Sequence, residues 1–183
     1  MRVPRTFVFV DISGFTNFTN ENGDDAAGRL LASWRAVTRD VASETGVRIA
    51  KWLGDGCMIV AVDQRDAITF ALELQKRSGA ACAPLSIRVG MASGLALLFE
   101  GDDYIGTAVN MAARLCDVAG SFEVIIPSEQ IENLPDGVVV TPHEPMSLRG
   151  LNEAIPVVLL TGEATNAARN DTGELWTRSP FVL

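Results

Sequence analysis

Residues 7–16 read Phe-Val-Phe-Val-Asp-Ile-Ser-Gly-Phe-Thr. Four apolar residues bounded by turn signals form a short strand covered on both faces. The strand ends on a carboxylate, Asp11, and holds it rigidly at its tip. The Ser13-Gly14 turn that follows lets the backbone pass close to whatever that carboxylate binds. A fixed carboxylate beside an open backbone suits a hard cation and the phosphates attached to it.

The rest of the chain supplies the layers that cover this strand. Residues 23–45 read as a long helix, with Leu30, Leu31, Trp34, Val37 and Val41 at three- and four-residue spacing and Gly46 as its stop. Two strand-like runs, 47–53 and 57–62, flank Gly54-Asp55-Gly56, which is a hairpin signal. A second helix spans 63–78. Strands at 85–91 and 95–99 flank Ser93-Gly94, and Gly101 to Tyr104 is a polar turn. A third helix covers 107–118. A strand at 123–126, a short helix near 128–134 and strands at 138–141 and 155–160 complete the core. This order predicts an α+β fold: a ferredoxin-like βαββαβ core extended by further strands. The sheet is expected to be mostly antiparallel, with helices packed mainly on one face. Residues 1–162 form one domain. Residues 163–183 form a polar tail, disordered or docked through its apolar end.

At 183 residues with 48% hydrophobic content, the chain is large enough for a substantial core. A formal net charge of −8 excludes a broad grip on nucleic acid. No apolar stretch approaches a bilayer span, and the N-terminus reads as the first strand with no signal peptide. Cys57, Cys82 and Cys116 are odd in number and widely spaced, which points to reduced thiols in a cytoplasmic protein. An anionic substrate therefore requires particular cationic side chains placed in a pocket.

Asp55 sits at the hairpin tip, and a ferredoxin-like core makes that hairpin a neighbour of the first strand. Paired carboxylates on strand ends suit a two-metal site, with ions about 3.5–4 Å apart. Read singly, Asp11 is equally a helix cap and Asp55 a turn residue. Lys51 lies four residues before Asp55, on the same strand face by parity; alone it is a solvated lysine. Asn110 and Arg114, four apart, share one face of the third helix. Alone they are a tolerated polar residue and a surface ion-pair partner.

Together, Phe9 to Thr16, Lys51 to Asp55 and Asp103 to Arg114 resemble the class III nucleotidyl cyclase catalytic domain, the family of adenylate and guanylate cyclases. The likeness covers roughly residues 5–162, and its motifs are specific in combination. It implies conversion of ATP to 3′,5′-cyclic AMP and pyrophosphate with two divalent cations, Mg²⁺ or Mn²⁺. By resemblance, Asp11, Asp55 and the backbone carbonyl of Ile12 bind metal. Asn110 orients the ribose and Arg114 meets the charge that builds on the phosphoryl oxygens. Lys51 and Asp103 select the purine: adenine offers an acceptor at N1 and a donor at its 6-amino group, which a lysine and an aspartate match. Guanylate cyclases of the family typically carry Glu and a small residue there. Asp103 is chosen over its neighbour Asp102 by its spacing to Gly106 and Asn110. Arg149, in Ser147-Leu148-Arg149-Gly150, matches a basic residue that contacts the terminal phosphates.

The resemblance further implies a head-to-tail homodimer with sites shared between subunits. Asp11 and Asp55 come from one chain, and Lys51, Asp103, Asn110 and Arg114 from the other. The stretch from Gly94 to Asp103 is short, as in the short-armed bacterial group. Leu97, Leu98 and Phe99 there read as core strand or interface. The alternative is a weak or inactive homologue that acts as a nucleotide-binding or regulatory dimerisation module; such homologues lack key residues, and none is missing here. A diguanylate cyclase would carry a Gly-Gly-Asp/Glu-Glu-Phe hairpin, where this chain has Leu-Gly-Asp-Gly-Cys. His143, the one histidine, makes no metal constellation.

Overall fold

The first strand is longer than its apolar run. In the computed structural model, which describes residues 1–101, 103–150 and 153–162, β1 extends over Arg2–Ser13. Its side chains alternate between two cores, as a strand's period of two requires. Val8, Val10 and Ile12 enter one core, while Phe7 and Phe9 enter the other.

Around β1 the order is α1 (Phe15–Asn22), α2 (Asp24–Thr45), β2 (Arg48–Leu53), β3 (Gly56–Ala61), α3 (Gln64–Ala81), β4 (Ser86–Phe99), β5 (Asp103–Ile105), α4 (Thr107–Val118), β6 (Val124–Pro127), a 3-10 turn at Ser128–Gln130, β7 (Val138–Pro142) and β8 (Val157–Gly162). The strands form one sheet in the order β2-β3-β1-β4-β6-β8-β7, with β5 paired to β4 alone. Among the described residues only β4 and β6 run parallel. The first four strands and the helices between them make the ferredoxin-like core, and the β7–β8 pair extends it.

Trp34 from α2, with Ile68, Phe70 and Leu74 from α3, fills the core on one face of the sheet, and Phe15 and Phe18 of α1 join it. Among the described helices, α4 alone lies on the other face, against Phe7, Met58 and Val60. Its contact side is small, Ala108 and Ala112 over Gly90, Ala92 and Ala96. Small residues on both elements let backbone meet backbone: a Cβ built on Gly90 would stand 2.1 Å from the Cys116 nitrogen.

Four local expectations change. Ser86–Phe99 form one continuous strand. Ser93-Gly94 does not turn, because Ser93 pairs with Thr6 of β1 and Gly94 gives room to Ala108, whose Cβ would lie 3.0 Å from a Cβ there. The polar turn ends in a strand, β5, with Phe99 opposite Asp103. The long helix begins one residue later than expected and is preceded by a separate helix, α1, over Asn- and Thr-rich residues. The helix near 128–134 is only the 3-10 turn. All three cysteines are free and buried. Among the described residues no helix is long and apolar enough to cross a membrane. The 163–183 tail and Asp102 lie outside the described residues.

Candidate active site

Asp11 and Asp55 meet because the sheet register brings them together. Asp11 of β1 stands opposite Gly56 of β3, the residue after Asp55. Ile12 N–H donates to the Asp55 carbonyl at 3.2 Å, tying strand tip to hairpin turn. From α2, the Arg35 guanidinium donates to the Gly54 carbonyl at 2.6 Å. The same guanidinium lies 4.8 Å from the ring of Trp52, which Trp34 meets edge-on at 5.9 Å. The hairpin tip is thus held from β1 and from α2.

Both carboxylates line a cleft of about 350 Å³ together with Ile12, Gly14, Phe15, Thr16, Asn17 and Arg88. Gly14, at φ +81, starts α1 in the left-handed region that glycine adopts freely. The first residues of α1, Phe15, Thr16 and Asn17, line the cleft beside the two acids. Burial pushes the Asp11 carboxyl above the ordinary carboxylate range, against hydrogen bonding from Arg88, and the Asp55 charge pushes it the same way. Two acids in one cleft repel until a cation sits between them. Two carboxylates and a carbonyl are hard oxygen donors, and Mg²⁺ sites commonly use one or two carboxylates completed by substrate phosphate. The donor set fits that arrangement.

Lys51 and Asp103 come together elsewhere on the molecule. Chain register shifts between Ile49 and Lys51 in β2. After this bulge Trp52 packs into the α2 core, while Lys51 forms a direct ion pair with Asp103 of β5. Both side chains are about half exposed. The neighbouring Tyr104 meets Phe7 edge-on at 5.5 Å, which seats the β5 arm on the α4 face of the sheet.

On α4, Asn110 is exposed and Arg114 is half-buried. The Arg114 guanidinium lies against the backbone of Gly150, next to exposed Arg149. The structure thus gathers three groups: Asp11, Ile12 and Asp55; Lys51 and Asp103; Arg114 with the 149–150 loop. Among the described residues, none of Lys51, Asp103, Asn110, Arg114 or Arg149 lines the cleft of the two acids.

Sequence reasoning missed Arg88. It lies between buried Ile87 and Val89, where it reads as an outward strand residue. It stands directly opposite Asp11 on β4, and its Nε and Nη2 donate to Asp11 Oδ2 at 2.9 and 2.7 Å. The signal available was parity: Asp11 and Arg88 are opposite charges on neighbouring strands.

Residues 4–162 match the family described as the adenylate and guanylate cyclase catalytic domain. The chain belongs to that family. An uncharacterised protein of Mycobacterium tuberculosis is 32% identical over 147 residues, 80% of this chain and 38% of that protein. An adenylate cyclase of Streptomyces coelicolor is 31% identical over 126 residues, 69% of this chain and 33% of that enzyme. The chain thus spans about a third of the length of the curated relatives it matches. Among solved structures, the adenylyl cyclase CyaB from P. aeruginosa superposes with a TM-score of 0.76 at 24% identity, covering 88% of this chain and 95% of that one. A guanylate cyclase domain from Catenaria anguillulae, in complex with GTP, gives 0.75 at 20% identity, covering 88% and 98%. These likenesses define the fold shared by adenylate and guanylate cyclases.

Proposed function

We propose that the chain is an adenylate cyclase that converts ATP to 3′,5′-cyclic AMP and pyrophosphate in a homodimer with shared sites. The observation that carries the substrate assignment is the pairing of Lys51 with Asp103. A cationic donor and an anionic acceptor side by side match adenine's N1 and 6-amino group; guanine reverses both. The Streptomyces relatives, both described as adenylate cyclases, support the same direction.

Asp11, Asp55 and the Ile12 carbonyl would hold two divalent cations. Bound there, such ions lower the pKa of the ribose 3′-hydroxyl and neutralise charge on the triphosphate. The chain's own groups do the rest. The start of α1 lines the cleft, and its backbone N–H groups would suit phosphate oxygens, because a helix N-terminus carries unpaired donors and partial positive charge. Arg149 would take the terminal phosphates. Asn110 would orient the ribose so that the 3′-oxygen lies in line with the α-phosphorus. As the new O–P bond forms, the bond to the bridging oxygen breaks, pyrophosphate carries off that electron pair, and the 3′-hydroxyl proton is released. Arg114 would stabilise the charge on the phosphoryl oxygens at that moment.

The dimer reading follows from the gap between the groups. The cleft with the two acids is not lined by the purine pair or by Asn110 and Arg114. A second copy placed head to tail would supply them, giving two equivalent sites. Domain limits of 1–162 belong to the same proposal.

The test is incubation with ATP or GTP, each with Mg²⁺ or Mn²⁺, and chromatographic measurement of cyclic nucleotide. Cyclic AMP formed only with metal is the expected result. No cyclic product under any condition would sink the enzyme assignment. A preference for cyclic GMP would sink the Lys51–Asp103 argument alone.

A further inference from the structure

Asp55 owes its place to two peptide units. The carbonyl of Gly54 and the nitrogen of Asp55 belong to one planar peptide, and the Asp55 carbonyl belongs to the next. With both planes fixed, the Cα–Cβ direction of Asp55 is fixed too. The second plane is held from β1, where Ile12 N–H donates to the Asp55 carbonyl at 3.2 Å. The first lies on the side of β2, an edge strand whose one neighbour among the described strands is β3. Gly54 stands at φ +71, and a Cβ built on it would meet nothing within 4 Å. Packing at that position leaves the turn room to move. Its carbonyl is held by a side chain instead: Arg35 Nη2 of α2 donates to it at 2.6 Å.

Arg35 is itself held. Its guanidinium lies 4.8 Å from the centre of the Trp52 ring, two residues before Gly54 on the same hairpin. Trp34, the residue before Arg35, is fully buried in the core and meets the same ring edge-on at 5.9 Å. The helix turn that buries Trp34 therefore brings Arg35 to the hairpin. Arg35 Nε is buried with no hydrogen-bond partner among the described residues. The guanidinium is thus placed by the ring and by its bond to Gly54. Arg39, one helical turn later, lies 5.3 Å from the same ring, and among the described residues it makes no hydrogen bond to the hairpin.

We propose that Arg35 is a positioning residue for the cation site: from α2 it fixes the peptide between Gly54 and Asp55, and so sets the direction in which the Asp55 carboxylate meets an ion shared with Asp11. This rests on the reading of Asp11 and Asp55 as metal ligands. A planar guanidinium suits the task, because stacked on an indole and bonded to a carbonyl it sets a direction as well as a charge. The charge alone works the other way, since a positive group near a cation site repels the ion. Loss of charge would tighten metal binding, and loss of position would weaken it. The competing account, in which Arg35 only packs α2 onto Trp52, predicts a change in stability with metal affinity unchanged or tighter.

The test uses Mn²⁺ alone as the probe, with free Mn²⁺ followed by its paramagnetic resonance signal in solutions of the full chain. Arg35→Met keeps an apolar stem on Trp52 and loses the donor. It is expected to weaken Mn²⁺ binding about 10-fold, the lower end for groups that orient a ligand from behind. The Mn²⁺ concentration for half-maximal activity should rise by a similar factor, with kcat recovered at saturating metal. Arg39→Met removes a charge from the same ring and should leave Mn²⁺ binding unchanged or slightly tighter. Wild-type or tighter affinity in folded Arg35→Met would overturn the proposal, as would equal weakening in both variants or an activity loss that saturating metal does not restore. If Arg35→Met fails to fold, Arg35→Gln decides by the same comparison, because its amide nitrogen ends where the arginine Nε stands, short of Nη2. Asp55→Asn separates the two levels. If it abolishes Mn²⁺ binding while folded Arg35→Met binds normally, Arg35 is wrong and the metal site stands. If the wild type binds no Mn²⁺, or Asp55→Asn binds it as well as the wild type does, the metal-site reading fails, and the proposal with it.

Discussion

Lys51 and Asp103 illustrate how much chemistry two side chains can decide. Paired, each satisfies the other's charge, and both stay about half exposed. A purine edge would exchange that single contact for two hydrogen bonds of matching sense. A site built to hydrogen-bond one partner rejects another strongly, because mismatched groups are left unpaired. The double variant Lys51→Glu with Asp103→Ser should therefore lose cyclic AMP formation by at least ~100-fold and gain cyclic GMP formation from GTP. Product chromatography with each nucleotide checks this; unchanged ATP preference in a folded double variant would remove these two residues from selection. Both were singled out in the sequence by the family resemblance, and the fold brings them into contact. The contact of Arg88 with Asp11 was not, because cross-strand register is set by tertiary pairing over 77 positions.

Elements were legible where periodicity is local and obscured where packing overrides composition. The hairpin around Asp55 and helix α4 follow directly from apolar spacing and turn residues. Ser93-Gly94 read as a break between two strands because the sequence cannot show Ala108 arriving over it. Helix α1 was hidden by its Asn and Thr content, and no residue in it is fully buried. The same packing logic makes a prediction at β4. Gly90 faces α4 backbone so closely that a Cβ would meet the Cys116 nitrogen at 2.1 Å and the Ala112 carbonyl at 2.4 Å. Neither atom belongs to a flexible side chain, so Gly90→Ala must displace α4. A loss of about 3 kcal/mol in denaturant unfolding is expected. Activity should fall beyond what the folded fraction explains, since α4 carries Asn110 and Arg114. Gly79 is the control: it is helical in α3 with open space around it. Gly79→Ala should stabilise the protein by about 0.5–1 kcal/mol through helix propensity. Equal midpoints for the two variants would show that α4 can retreat from β4 at little cost.

At the scale of the whole molecule, the cleft of the two acids is lined by neither the Lys51–Asp103 pair nor Asn110 and Arg114. The acids open into a cleft at the tips of β1 and the β2–β3 hairpin, while Asn110 points to solvent from α4. The β4–β5 arm also exposes Leu95, Phe99 and Ile105, at 60%, 46% and 55%. A head-to-tail dimer would join the acids to Asn110 and Arg114 and give that arm apolar contacts. In such a dimer, Asp11 and Arg114 of one chain never serve the same reaction. Asp11→Ala and Arg114→Ala should each be inactive alone, the arginine change costing about 100- to 1000-fold. Mixed in equal amounts and allowed to exchange, half of the dimers are mixed. Each mixed dimer pairs the Asp11 of one chain with the Arg114 of the other in one of its two sites. Cyclic AMP formation should therefore return to about one quarter of wild type. The dose dependence gives a second check: recovery should track the mixed-dimer population measured by native mass spectrometry. If subunits exchange freely and activity stays at the single-variant level, both residues act within one chain. The separation of Arg114 from the acid cleft would then have to close by movement of α4, and the tight Gly90 contact argues against such movement.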